Sequence, residues 1–206
     1  YGMNVRLIDD AGLAWSDTNI ARPADWRFFP GTDFWPTDEF IYDSYLIRPA
    51  RGAPPGAYHL EAIVYRADTL QALSVQRIGD YVIERPTREP LAAPLADFDG
   101  ATLVGALPDR ATASPGEPYR LTLLWQAASD SPPDRGVRLE LVDAAGRVTH
   151  TITGGISPQY PPGQWKTGDV IAQSFFLRLP AGVPEGKLHW QVNGVPVAGL
   201  SVNGLS

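Results

Sequence analysis

The groups in this chain with the chemistry for acid–base or metal work are three histidines and a few neighbouring carboxylates. Histidine titrates near neutral pH and ligates metals, so His59, His150 and His189 come first. Asp9-Asp10 and Asp38-Glu39 are adjacent acids of the type that glycoside hydrolysis uses in pairs, with carboxyls about 5 to 9.5 Å apart. Asp97-Phe98-Asp99-Gly100 sets two acids before a glycine, but a calcium loop spreads its oxygen ligands over about a dozen residues and ends in Glu. The densest chemistry is aromatic. Between Trp26 and Tyr45 lie Trp26, Phe28, Phe29, Phe34, Trp35, Phe40, Tyr42 and Tyr45, interleaved with Arg27, Asp33 and Asp38 and preceded by Asp25. Such rings stack on the C–H face of a sugar while carboxylates bond its hydroxyls. No G-x-S-x-G, phosphate-binding loop or H-E-x-x-H accompanies them.

An internal duplication sorts these residues. Allowing a one-residue slip at Leu179 that is restored at Arg51, Trp35, Thr37, Ile41, Ser44 and Arg48 recur as Trp165, Thr167, Ile171, Ser174 and Arg178. Pro49, Ala50, Gly52, Pro54, Gly56 and His59 recur as Pro180, Ala181, Gly182, Pro184, Gly186 and His189. Upstream, L-I-D-D-A-G from residue 7 echoes L-V-D-A-A-G from residue 141. A residue kept in both copies is expected to serve the fold, whereas one found in a single copy is free to serve a site. By that test His59 and His189 are structural or solvent-facing, and His150 is a lone strand residue. Asp9 recurs as Asp143 and Glu39 as Asp169, both beside turns, where carboxylates cap backbone amides. Trp35 and Trp165 belong to the core or a corner. The unmatched set is Trp15, Trp26, Phe28, Phe29, Phe34 and Tyr42, and with Asp25 and Asp38 it forms the candidate ligand-binding surface. The leading expectation is that these rings fill a hydrophobic loop cluster or patch the exposed end of a truncated module. No catalytic residue, metal ligand or cofactor is expected.

The elements that would position such a surface are strands. Tyr1, Met3, Val5 and Leu7 alternate with polar neighbours, as do Tyr119 to Trp125, Val137 to Leu141 and Ile171 to Leu179. Tyr58 to Val64 corresponds to Leu188 to Val192 in the second copy. Asp10-Ala-Gly12, Ala145-Gly146, Pro54-Pro-Gly56, Pro184-Glu-Gly186, Asn193-Gly194 and Asn203-Gly204 punctuate them as turns. No long segment carries a 3.6-residue period. The expected fold is all-β: two tandem antiparallel β-sandwich modules, immunoglobulin-like or jelly-roll-like. Module 1 spans residues 1–86, a proline-rich linker 87–93, and module 2 residues 94–206. Strands matching Thr102 to Leu107 and Tyr119 to Trp125 would fall upstream of Tyr1, so module 1 is expected to lack its N-terminal strands and to expose a sheet edge. An open edge invites pairing, hence an expected edge-strand homodimer.

Composition narrows the partners. With 44% hydrophobic and 19% charged residues the chain is globular, and its 20 glycines and 20 prolines suit many tight turns. A net charge of −6 without a basic stripe argues against nucleic acid. Cysteine is absent, which removes disulfides and thiolate chemistry. No apolar run approaches the roughly 20 residues of a membrane span. A glycan or a protein remains as the expected partner.

The second copy reads F-D-G-A-T-L-V-G, P-G-E-P-Y-R-L-T-L-L-W-Q-A, R-L-E-L-V-D-A-A-G, Y-P-P-G-Q-W-K-T-G-D-V-I and L-P-A-G-V-P-E-G in that order. Over most of residues 95–195, and over 7–65 in the first copy, this resembles the β-sandwich modules that trail multi-pass bacterial membrane proteins of the glycosyltransferase type. The pattern departs from them at Asn193-Gly-Val-Pro196, which interrupts their long closing strand. The resemblance implies an extracytoplasmic, non-catalytic accessory or interaction region of a membrane-anchored protein. A carbohydrate-binding module and a glycoside-acting enzyme are the alternatives, and fold-level likeness does not choose among them.

Overall fold

The computed structural model of the chain describes residues 1–16, 38, 45–66 and 68–203. They belong to two compact units, Tyr1–Arg85 and Pro86–Ser206. The architecture is nearly all β, with antiparallel sheets packed together and no α-helix among the described residues.

The described residues of unit 1 form a three-stranded antiparallel sheet in the order β1-β2-β3, built from Gly2–Ile8, Gly56–Tyr65 and Ala72–Ile83. Its alternation works as the sequence predicts. Val5 and Leu7 of β1, Tyr58 of β2 and Ile83 of β3 are buried, while Asn4, Arg6 and Glu61 lie on the other face. The chain turns back after β1 through Asp10–Gly12, and Trp15 N–H then bonds to Leu7 O at 2.7 Å. Ser16 Oγ accepts the Leu7 amide at 3.0 Å, so part of the outer edge of β1 is closed by its own turn.

Unit 2 is a sandwich. One sheet runs β4-β11-β8-β6-β5, from Thr87–Arg88, Asp169–Arg178, Pro118–Ala127, Ala101–Pro108 and Ala96–Phe98. The other runs β10-β9-β12-β13-β7, from Val148–Gly154, Val137–Asp143, Gly186–Val192, Val195–Val202 and Thr112–Ala113. Between them Leu103, Leu121, Leu123, Trp125, Leu139, Leu141, Ile171 and Trp190 are completely buried, joined by Trp165 from the loop before β11. Burying one such leucine stabilises the fold by roughly 1.5–3 kcal/mol. Tyr119 stacks on Trp190 with ring centroids 5.9 Å apart, and Phe98 meets Trp125 edge-on at 5.7 Å. Asn193 (φ 48°) and Gly194 (φ 85°) form the two-residue turn from β12 to β13, so the interruption seen in sequence is a hairpin.

The duplication is visible in the pairing. Ile8 opposes His59 in unit 1, and the equivalent Val142 opposes His189 in unit 2. The register breaks between Leu60 and Glu61 in unit 1 and between the equivalent Trp190 and Gln191 in unit 2. Thus β1-β2-β3 matches β9-β12-β13 down to the position of the bulge.

The segment 87–93, expected as a linker, is part of unit 2. Thr87 and Arg88 pair with Val170 and Asp169, and Glu89 N–H bonds to Gly168 O at 2.9 Å. Gln126, only 1% exposed, accepts the Ala92 amide at 2.8 Å and donates to the carbonyls of Glu89 and Pro90 at 3.2 and 3.0 Å. Proline-rich composition reads as a linker, but these backbone groups are satisfied by one buried amide far along the chain.

Candidate functional site

The duplicated acids are turn fixtures. Asp9 Oδ1 accepts the amides of Ala11 and Leu13 at 2.9 and 2.8 Å, and Asp143 Oδ1 accepts those of Ala145 and Arg147, both at 2.9 Å. The positive φ that each turn needs comes from Gly12 and Gly146, at 81° and 79°. Only the second oxygen differs: Asp9 Oδ2 takes the indole N–H of Trp15 at 2.7 Å, and Asp143 Oδ2 takes Arg147 Nε at 2.8 Å. The Arg147 amide, with its guanidinium, holds the Asp143 carboxyl below its ordinary pKa. Asp169, 2% exposed, accepts the Lys166 amide at 2.7 Å and the Arg88 guanidinium at 3.1 Å.

Other acids are spent similarly. Asp97 Oδ1 accepts the Gly100 amide at 3.0 Å, and Asp99 pairs with Arg135 at 2.6 Å. No grouping of three or more His, Asp or Glu side chains able to hold a metal occurs among the described residues. His59 Nε2 stands 3.4 Å from Glu61 Oε1, whose partner oxygen binds Arg6 at 3.2 Å, so this histidine belongs to a half-buried polar row across β1 and β2.

Of the residues expected to bind a ligand, Trp15 is 6% exposed and its indole N–H is committed to Asp9. Little of that ring is left for a ligand. Asp38 is exposed. Trp26, Phe28, Phe29, Phe34, Tyr42 and Asp25 lie outside the described residues. The shared Trp165 is fully buried and donates to Tyr160 O at 2.7 Å, while its counterpart Trp35 also lies outside the described residues.

Among the described residues, two open grooves stand out. In unit 2 a groove of about 440 Å³ is lined by Arg110, Arg120, Arg178 and Phe176. Arg110 is held by Asp109 at 3.4 Å, Arg178 donates to Gly116 O at 2.6 Å, and Arg120 sits 5.9 Å over the Phe176 ring. In unit 1 a groove of about 430 Å³ runs between Arg6, Ile63, Tyr65 and Val75.

The feature that periodicity did not single out borders this second groove. β3 forms one end of the unit 1 sheet, and apart from the buried Ile83 its large apolar residues are exposed, among them Leu73 by 51%, Val75 by 50%, Ile78 by 56% and Val82 by 63%. A long apolar edge strand of this kind is a template for pairing with another chain. Its sequence, A-L-S-V-Q-R-I-G-D-Y-V-I, sets apolar residues on both faces, which reads as a strand covered on both sides rather than as an exposed edge. The chemistry this arrangement offers is association. Against protein-family models and against curated proteins, the sequence finds no match.

Proposed function

We propose that this chain is a non-catalytic extracytoplasmic β-sandwich region of a larger, membrane-anchored bacterial protein, serving as an accessory and interaction module. The observation that carries the interaction role is β3, whose exposed Leu73, Val75, Ile78 and Val82 would be costly to leave in water without a partner. Supporting it, Asp9, Asp143, Asp169 and Asp99 are engaged in turns and ion pairs. The placement outside the membrane rests on the resemblance of residues 95–195 to modules trailing glycosyltransferase-type membrane proteins. Carbohydrate binding by the aromatic run from Trp26 to Tyr45 is a second reading, favoured by its excess of rings over the second copy.

The test is protease treatment of intact cells expressing the whole parent protein with an epitope tag inserted at the exposed turn by Gly146. Loss of the tag without lysis is the expected outcome. A tag digested only after the cells are broken would overturn the placement.

A further inference from the structure

We propose that β3 pairs antiparallel with β3 of a second copy of this chain, in the register that sets Arg77 against Asp80 and Val75 against Val82. The inference rests on reading β3 as the interaction edge, and the strand's backbone directions point to this register. Leu7 turns its amide and carbonyl away from β2, toward Ser16 and Trp15. By alternation Arg6 and Ile8 face Glu61 and His59 of β2, so Tyr58, Leu60 and Ala62 face β3 at Tyr81, Gly79 and Gln76. The backbone groups of Val75, Arg77, Asp80 and Val82 therefore point outward, and no strand among the described residues pairs with them.

The bulge makes this register symmetric. Leu60 and Glu61 oppose Gly79 and Arg77, which leaves Ile78 as the extra residue. In an unbroken strand, residues three apart point to opposite faces and could not oppose each other across a twofold. Here Arg77 and Asp80 share one face, opposite Glu61 and His59. A twofold at Ile78-Gly79 then sets each Arg77 beside the other copy's Asp80 and each Val75 beside its Val82. All four are outward-facing residues that exchange both backbone bonds in antiparallel pairing. Opposite charges and β-branched residues directly across a pair are favourable, and like charges there are not. Arg77 and Asp80 bond to each other within the strand, and with side chains 64% and 73% exposed they can exchange that pairing for the same one across the twofold. Unit 2 shows that this strand position accepts a neighbour: the outer edge of the equivalent β13 takes β7 at Ser201 and Val202.

The experiment uses the full chain, which contains no cysteine, so introduced thiols report without background. Sedimentation over a concentration series should reach twice the 22.4 kDa chain mass. Opposed positions lie about 5.5 Å apart between Cα atoms, within disulfide reach. An equimolar mixture of Val75→Cys and Val82→Cys should form an oxidised dimer, whereas Val75→Cys alone should not. Arg77→Asp should abolish the dimer by facing acid with acid, and Arg77→Asp with Asp80→Arg should restore it. A monomer at every concentration overturns the proposal. So does cross-linking by Val75→Cys alone equal to that of the mixture, or failure of the double exchange to rescue. Any of these leaves the accessory reading standing, because that reading is decided by the location of the segment in cells.

Discussion

Asp9 and Asp143 show how far a single residue can be understood from its place in a repeat. Each sits before a turn, accepts amides two and four residues on, and depends on a glycine at positive φ. That much follows from an aspartate and a glycine three residues apart between strands, which is local chemistry. The use of the second oxygen, on Trp15 in one copy and Arg147 in the other, does not follow from it. Asp130 is an acid of the same kind without a repeat partner. The Thr167 amide and hydroxyl, with Lys166, hold its carboxyl at about 2 against an ordinary 3.8. A depressed folded pKa contributes stability that is complete above the ordinary value and lost as pH falls toward the folded one. Asp130→Ala should therefore lower the thermal midpoint at pH 7, with the difference from the parent chain shrinking between pH 4 and 2. An equal difference at pH 7 and pH 2 would contradict the role given to the carboxylate.

At the scale of elements, the strands were legible because period-2 alternation and turn residues are written in consecutive positions. β1, β2, β8, β9, β11 and β12 all lie where alternation puts them. Of the elements that alternation did not mark, two are instructive. The 87–93 segment has no pattern of its own, and its structure comes from Gln126, more than thirty residues away. Gln126→Ala should leave the Ala92 amide and the Glu89 and Pro90 carbonyls without this partner. The expected cost is about 1–3 kcal/mol in denaturant unfolding, with new proteolytic cleavage within 87–93. Unchanged stability and no cleavage would mean that the strap is held by β4 alone. β3 is the second case. Its composition reads as an ordinary buried strand, yet it stands exposed at the end of its sheet.

The whole molecule is a duplication whose copies have diverged in what surrounds them. In unit 2 the equivalent sheet lies against a second sheet and buries Leu200 at 3% exposure, whereas Tyr81 of unit 1, matching Leu200, is 43% exposed; Val202 and its match Ile83 are buried in both. The continuous buried cluster runs from Ala101 to Val202, entirely within unit 2. A chain of residues 86–206 should thus fold alone, unfold cooperatively and keep the near-ultraviolet signature of buried Trp125, Trp165 and Trp190. A fragment lacking that signature would show that unit 2 needs unit 1 to close its core. By itself the sequence determined the all-β class, most strand positions, the turns and the repeat, since side-chain alternation and turn conformations depend on residues adjacent in the chain. Only the tertiary structure decided which acids are spent, that the proline-rich segment belongs to unit 2, and that β3 faces water. Those outcomes depend on what distant parts of the chain bring to each residue, and burial has no local signature.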